Sequence, residues 1–513
     1  MTGAVPGHAG RRSATPPIEL TGSAARWDGA VDLSPELIGA LAEISPLDSG
    51  PGETAEGSRD WWPLALHWSL AGEVPVCAGV VCRPTTTAQV AAIAARCHQH
   101  VVPLTATGGR SGVSGAAIPL FGGVVVDLTG LHGVLDIDEA SGVVEVAAGT
   151  FGPDLEAALA PHGLSVGHFP QSFDLATVGG WVACRGAGQH STRYGKIETM
   201  VVGLEVVLAD GRVVRTGGAP AAAVGPDLDQ VFVGSEGTLG IITAVRLRTH
   251  PRPPTDRRAA WTFETFAAGV DACRRTLRAG ATPAVLRLYD PIESMGSGRG
   301  GDGTRCTLLV LDEGDGRIVD ATMAVVADCC AGGAVADDAL VTAWLKHRND
   351  TSALQGLTRK GYVVDTMEIA APWSALDTLY HTVRASLLAV PHAGTATCHL
   401  SHSYSDGACL YFTFLAKPPA AEIESTYVAL WDAGQRAVLA AGGNLSHHHG
   451  VGLNRSRFVA EALGPGFDVL VALKTALDPN GILNPGKLGL PSPFGDSPWP
   501  TPGRPIAHPV EEG

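Results

Sequence analysis

No apolar run in this chain of 513 residues approaches the roughly 20 residues that a membrane-spanning helix needs. Nor is a secretory leader expected from the first residues given. Residues 1–18 are rich in Gly, Ala, Pro and Arg, have no apolar centre, and read as a disordered tail. No basic stripe offsets the formal net charge of −15, which argues against a nucleic-acid partner. The ten cysteines form no CxxC pair; Cys329 and Cys330 are adjacent and the rest are scattered. In a chain this long that usage reads as buried thiols in a reducing compartment, so the expected location is cytoplasmic. No internal repeat is visible. What remains, 45% apolar residues with only 17% charged, describes a globular protein too long for one ordinary core.

Short β-branched runs alternate with helical patterns over 80–247. Strands are expected over 80–82, 123–128, 143–148, 201–208 and 241–247, and helices over 87–98 and 151–162. Pro251, Pro253 and Pro254 mark an internal boundary. Beyond them a strand and then a helix read over 261–280. Further strands follow over 285–288, 306–311 and 409–415, with helices over 318–330 and 425–441. This order suits an α+β fold in which a second, antiparallel sheet is covered by helices.

Three glycine-dense, hydroxyl-bearing loops stand out. The first, Thr107-Gly108-Gly109-Arg110-Ser111, follows the apolar run Val101-Val102-Pro103-Leu104. The second is Gln171-Ser172-Phe173-Asp174-Leu175-Ala176-Thr177-Val178-Gly179-Gly180-Trp181, and the third Gly234-Ser235-Glu236-Gly237-Thr238-Leu239-Gly240. Glycines let backbone N–H groups approach an anion closely, and hydroxyls supply further donors. Several such loops in one region suggest a long, pyrophosphate-containing cofactor rather than a single phosphate.

In this order the loops resemble the FAD-binding domain of the vanillyl-alcohol-oxidase/PCMH flavoprotein superfamily. Three further segments resemble its alkyldihydroxyacetonephosphate synthase branch: Gly167-His168-Phe169-Pro170, Ala408-Cys409-Leu410-Tyr411-Phe412, and Ser446-His447-His448-His449-Gly450-Val451-Gly452. The similarity runs over about 58–488. It implies a two-lobed FAD-binding domain over 58–254, after a tail and lead-in over 1–57. A cap or substrate domain follows over 255–440, a segment completing the flavin site over 441–490, and a loose tail over 491–513. By the resemblance, Thr107, Gly108, Gly109, Arg110 and Ser111 hold FAD in the first loop. Gln171, Ser172, Asp174, Thr177, Gly179, Gly180, Arg185, Gly186 and Ala187 do so in the second, and Glu236, Gly237, Thr238, Leu239, Gly240 and Ile242 in the third. The first loop offers neither His nor Cys, so FAD is expected to be bound non-covalently.

The resemblance also implies the chemistry. Tyr411 lies on an alternating strand and matches the synthase's catalytic tyrosine. A phenol there can exchange protons with substrate if its neighbours lower its pKa. His447, His448 and His449 match a motif at the flavin site. In an extended segment His447 and His449 would share one face and His448 the other. His168 matches another active-site histidine. Arg287 matches an arginine near the flavin, suited to an anionic substrate. The implied reaction replaces the acyl group of acyl-dihydroxyacetone phosphate with a fatty alcohol. The alternative is an FAD-linked oxidase or dehydrogenase of an alcohol or hydroxyacid lacking phosphate. Either takes a small-molecule or lipid-like substrate and leaves room for peripheral membrane contact and for a homodimer.

Two departures matter. The hydroxyacid dehydrogenase branch holds a divalent metal with two histidines and a glutamate. Here His402 keeps the first histidine, Tyr411 takes the place of the second, and His448 replaces the glutamate, so no metal is expected. The set that could still hold zinc is His399 and His402 with His447 or His449. The synthase branch also carries a phosphate-binding arginine about fourteen residues before the glutamate matched by Glu368. Counting back reaches Leu354 or Gln355, neither of them basic. Arg348 or Arg359 would have to substitute, unless the substrate lacks the phosphate.

Overall fold

The computed structural model describes residues 16, 18–296, 301–350 and 352–500. The N-terminal tail over 1–15 and the tail beyond 500 lie outside the described residues. The fold is α+β and rests on three sheets. A four-stranded sheet has the order Leu47–Asp48, Val80–Cys82, Val124–Asp127, Leu104–Thr107, and its last three strands are parallel. A five-stranded antiparallel sheet has the order Val213–Arg215, Val201–Val207, Ile241–Arg248, Val143–Ala147, Val134–Asp138.

The parallel strands are short and mostly apolar, with Thr105, Thr107 and Asp127 as exceptions, as expected of a sheet covered on its faces. Val80, Val124 and Leu104 pack under Val90, Ile93 and Ala94 of helix Thr87–His100. Thr86 caps that helix by accepting a hydrogen bond from the Gln89 N–H. The five-stranded sheet builds a separate core with Leu155, Leu159, Trp181 and Val182.

Past the proline cluster, seven antiparallel strands form the third sheet. Their order is Ala334–Ala336, Thr255–Phe263, Cys306–Gly314, Val285–Tyr289, Ala393–Ser403, Gly407–Ala416, Val363–Pro372. Alternation along the strands sorts its side chains. Leu288, Leu400, Phe412 and Met367 point into a core covered by helices Phe266–Arg278, Leu376–Leu388 and Ile423–Ala440. The opposite face carries Tyr289, His399, Tyr411 and Glu368 side by side across four neighbouring strands. Thr397, Thr413 and Thr366 stand one step along the same face, and Arg287 one step the other way.

The expected loose tail from 491 fails in its described part. Trp499 is 4% exposed, and its ring centroid lies 5.0 Å from Trp62. Trp27, Trp68 and Tyr427 complete this aromatic cluster. A large ring gains too much by burial to trail in water.

Candidate functional site

A cavity of about 740 Å³ lies where the glycine loops meet the polar face of the seven-stranded sheet. That volume is within the range of about 300–1,000 Å³ usual for cofactor and ligand sites. One wall carries Thr107, Gly108, Gly109, Arg110 and Ser111 of the first loop and Gln171, Ser172, Thr177, Gly179, Gly180, Gly186 and Ala187 of the second. The third loop adds Glu236, Gly237, Gly240 and Ile242. The loops interlock: a Cβ on Gly109 would stand 1.8 Å from the Leu175 carbonyl oxygen, so only glycine allows that approach. A Cβ on Gly180 would meet nothing nearer than the Thr177 hydroxyl at 3.3 Å, which leaves open space on the cavity side. Gln189 Oε1, on the same wall, is buried without a partner. Backbone donors in glycine loops, open space and an unused acceptor fit the pyrophosphate and polar groups of FAD.

Four of the expected cofactor residues are not on this wall. Asp174 and Arg185 are exposed. Arg185 turns toward Gln230 and Glu198, and its aliphatic stem fills the space beside Gly234, 2.5 Å from where a Cβ there would stand. Leu239 is core. The Thr238 hydroxyl donates to the Ser235 carbonyl at 2.7 Å and so closes its own turn. These residues shape the loops from behind. Cys184 does line the cavity, but burial pushes its thiol up to about 12, so it carries little thiolate at neutral pH.

The facing wall is built from side chains. Tyr411, Arg287, His399, His402, His448 and His449 reach the cavity. The Tyr411 ring stacks on His399 with centroids 4.7 Å apart. Arg287 donates to His399 Nε2 at 2.7 Å and to the Tyr289 hydroxyl at 2.7 Å. His399 Nδ1 lies 2.8 Å from Glu293 Oε1, which fixes that ring as a through-link between guanidinium and carboxylate. Burial, followed by the nearby Glu368 carboxylate, raises the Tyr411 phenol above its usual range. The condition raised from sequence, a phenol lowered by its neighbours, is thus not met by the protein groups around it, which keep Tyr411 protonated.

Glu368 holds the histidine triplet. Its buried carboxylate accepts from the backbone N–H of His448 at 3.1 Å and of His449 at 2.8 Å, and from the Ser446 hydroxyl at 2.5 Å. Arg455 grips it with two guanidinium nitrogens, and His449 Nδ1 lies 3.0 Å away. Burial would raise this carboxyl, but Arg455 and His449 hold it well below the usual range. Gathering consecutive N–H groups on one carboxylate bends the segment, so it is not extended. The expected pairing of His447 with His449 is therefore not found: His448 and His449 line the cavity, and His447 turns away. Its Nε2 lies 2.8 Å from the Tyr404 hydroxyl and its Nδ1 2.8 Å from His448 Nδ1. Burial, followed by neighbouring positive or imidazole groups, pushes His402, His447 and His448 well below the usual histidine range. All three are neutral.

His168 also misses the cavity wall. It is buried against Trp181 at 4.7 Å with both ring nitrogens unpartnered, and burial pushes it down to about 3. The histidines that come together are also not the set that sequence left open for zinc. Among the described residues, the nitrogens that converge within 4.8 Å belong to His402, His447 and His448, while His399 is engaged by Arg287 and Glu293. At the far end of the cavity, Leu354 and Gln355 line the wall together with Trp344 and Arg348. The guanidiniums of Arg287 and Arg348 each lie 5.7 Å from the Trp344 ring centroid. Arg359 is exposed and outside the cavity.

Sequence reasoning used Glu368 only as a landmark and passed over Arg455, Glu293 and Tyr404. A lone carboxylate amid the apolar run Met367-Glu368-Ile369 was the available signal, because a buried charge requires partners.

The FAD binding domain family matches residues 78–217, and the family described as FAD linked oxidases, C-terminal domain, matches 252–488. The chain is 31% identical over 433 residues to the FAD-linked oxidoreductase YgcU of Escherichia coli K12, covering 81% of this chain and 89% of that one. It is 28% identical over 455 residues to alkyldihydroxyacetonephosphate synthase of Dictyostelium discoideum, with 81% and 74% covered. It is 29% identical over 426 residues to glycolate oxidase subunit GlcD of Bacillus subtilis, with 80% and 88% covered. A solved alkyldihydroxyacetonephosphate synthase superposes with a TM-score of 0.73 at 24% identity, covering 91% of this chain and 88% of that one. p-Cresol methylhydroxylase does so at 0.71 and 18%, covering 90% and 97%. With both halves of the fold and both walls of the cavity accounted for, the chain belongs to the FAD-linked oxidase family of the vanillyl-alcohol-oxidase/PCMH superfamily.

Proposed function

We propose that the chain is a synthase-like FAD enzyme that exchanges an acyl group for a fatty alcohol on an anionic, acylated dihydroxyacetone substrate, with FAD held non-covalently. The observation that supports this reading is the presence of Tyr411, His448, His449 and Arg287 on one cavity opposite the glycine loops. When bound, FAD supplies an electrophilic, redox-active ring. Arg287 and Arg348 bind the anionic group of the substrate through charge-assisted hydrogen bonds. His448, held neutral by burial, accepts a proton from the substrate carbon. Tyr411 returns a proton to a developing negative charge, a role a neutral phenol can fill. The buried sheet face excludes water and strengthens each of these interactions.

Leu354 and Gln355 favour a second reading. Neither can clamp a phosphate, so Arg348 and Arg287 would instead hold the carboxylate of a hydroxyacid that is oxidised. The test is anaerobic. Ether product from acyl-dihydroxyacetone phosphate and a fatty alcohol, without bleaching of the flavin, supports the synthase. Bleaching by an alcohol or hydroxyacid, with no preference for phosphate, replaces it with the oxidase. Flavin that stays on the acid-denatured polypeptide refutes the non-covalent link.

A further inference from the structure

Two sets of three side chains, built from different parts of the chain, end in the cavity in the same way. In the first, Glu293 Oε1 lies 2.8 Å from His399 Nδ1, and Arg287 donates to His399 Nε2 at 2.7 Å. In the second, Glu313 Oε1 lies 3.1 Å from His190 Nδ1, and Arg348 donates to His190 Nε2 at 3.0 Å. Glu313 stands on strand Cys306–Gly314, His190 just precedes the short helix Ser191–Tyr194, and Arg348 follows helix Ala339–His347. A guanidinium offers no acceptor, so each imidazole accepts at Nε2 and carries its hydrogen at Nδ1, toward the carboxylate. Burial would raise the Glu313 carboxyl, but His190, the Tyr194 hydroxyl at 2.9 Å and Arg193 hold it below the usual range. It is an acceptor. His190 is buried and stands behind the cavity wall, whereas Arg348 is part of that wall.

The order of the three groups has an electrostatic consequence. A carboxylate in direct contact with a guanidinium makes a nearly neutral pair, with little attraction left for another anion. A neutral ring between them fixes the guanidinium's direction and sets the carboxylate farther off, where its opposing field is weaker. Among the described residues neither Arg287 nor Arg348 pairs directly with a carboxylate; their hydrogen bonds go to His399, Tyr289 and His190. Aromatic rings supply the remaining support on the second side: the Arg348 guanidinium lies 5.9 Å from the Phe169 centroid, and that ring packs on His190 at 5.3 Å. On the reading that Arg287 and Arg348 receive the anionic group of the substrate, we propose that His190 is a positioning residue for that group. It aims the Arg348 guanidinium into the cavity with its charge intact, and Glu313 fixes the imidazole from behind. His190 touches no substrate and acts through Arg348 alone.

Asn and Gln divide the two contacts of His190 between them. An Asn amide nitrogen stands where Nδ1 does, keeping Glu313, but the side chain ends short of Arg348. A Gln amide oxygen reaches the place of Nε2. The probes are inorganic phosphate and, for a carboxylate, acetate, titrated calorimetrically into the flavin-loaded enzyme. His190→Asn should raise the Kd of whichever anion binds by about tenfold or more, the usual worth of a contact to a charged group, with flavin content and melting temperature unaltered. His190→Gln should stay near the parent. Added to Arg348→Ala, His190→Asn should change Kd by no more than about twofold, because groups that act through one another are not additive. An unaltered Kd in His190→Asn, no rescue by Gln, or losses that add in the double variant each overturn the role of His190. A parent that binds neither anion, or an Arg348→Ala variant that binds as well as the parent, overturns the anion site and His190 with it. Should His190→Asn shed its flavin, 15N-histidine-labelled holoenzyme decides. His190 should be the Nδ1–H tautomer, and Arg348→Ala should shift its Nε2 resonance; an Nε2–H tautomer or an unmoved resonance overturns the assignment.

Discussion

The two walls of the cavity are made of different material. The cofactor wall is largely backbone: loops whose glycines bring N–H groups forward, with Arg185 and Asp174 turned outward and Arg110 and Glu236 kept at the wall. The substrate wall is side chain: rings and guanidiniums standing on strands, each fixed by a partner from another strand or from the histidine turn. A backbone wall tolerates changes that spare its conformation and leave its space open. A side-chain wall tolerates very few, because each of its polar groups is buried and oriented by the next.

The sharpest way to break the contrast is Glu368→Ala. It strands the Arg455 guanidinium, which is fully buried, and unties the histidine turn. Removing one partner of a buried pair costs about 3–5 kcal/mol, so thermal melting should show severe destabilisation with poor FAD retention. A melting temperature within a few degrees of the parent would mean the turn is held by other contacts. Next comes Tyr411→Phe, which should keep flavin content and lose about 10²- to 10⁴-fold in turnover, the usual worth of acid–base catalysis. Arg348→Ala should raise KM for an anionic substrate by about tenfold or more, since a hydrogen bond to a charged group is worth roughly 1.5–3 kcal/mol. Arg359→Ala, outside the cavity, should leave KM unchanged. Equal effects of the two would move the anion site elsewhere.

On the cofactor wall, Gly180→Asp sharpens the comparison. It places a carboxylate in open space at ordinary backbone angles, so FAD affinity should fall about tenfold, or about 1.4 kcal/mol, with melting of the apoprotein unaltered. Gly234→Asp cannot serve here, because the φ of +80° and the Arg185 stem at that position would damage the fold itself. The smallest effect concerns Asp365, whose carboxyl burial pushes up to about 6 despite hydrogen bonds from Tyr427 and Trp431. The folded chain keeps a proton there that the unfolded chain releases near pH 4. Stability contributed by this group is thus full below that pH and lost as pH rises through about 6. Asp365→Asn should remove that slope from melting curves taken across the window, and an identical slope in the variant would contradict the raised value.

The same contrast explains what could be read from sequence. An anion-binding loop is contiguous, so its glycines and hydroxyls appear together. The strands beneath it announce themselves by β-branched runs such as Val124-Val125-Val126. Strand alternation likewise placed Tyr411 correctly on a half-polar strand. The orientation of the histidine triplet was not legible, because it is set by Glu368, which lies 80 residues from His448, and by Arg455 beyond it. Nor was the state of the Tyr411 phenol, which depends on how deeply the sheet face is covered. Trp499 was misread because a proline- and glycine-rich context says nothing about the ring cluster waiting to receive it.

The segment Ile482–Lys487 carries one further consequence. The Leu104 N–H donates to the Ile482 carbonyl and the Asn484 N–H to the Leu104 carbonyl, each at 2.8 Å. The Asn484 amide donates to the Glu236 and Ala116 carbonyls at 2.7 and 3.0 Å, and Lys487 donates to the Ile118 carbonyl at 2.7 Å. First and third loops are thereby stitched together by residues that follow both of them in the sequence. While synthesis proceeds from the N-terminal end, a ribosome that has already delivered every glycine of the cradle has still not delivered its fastening. The cradle of glycine loops is thus fastened only once this segment is in place.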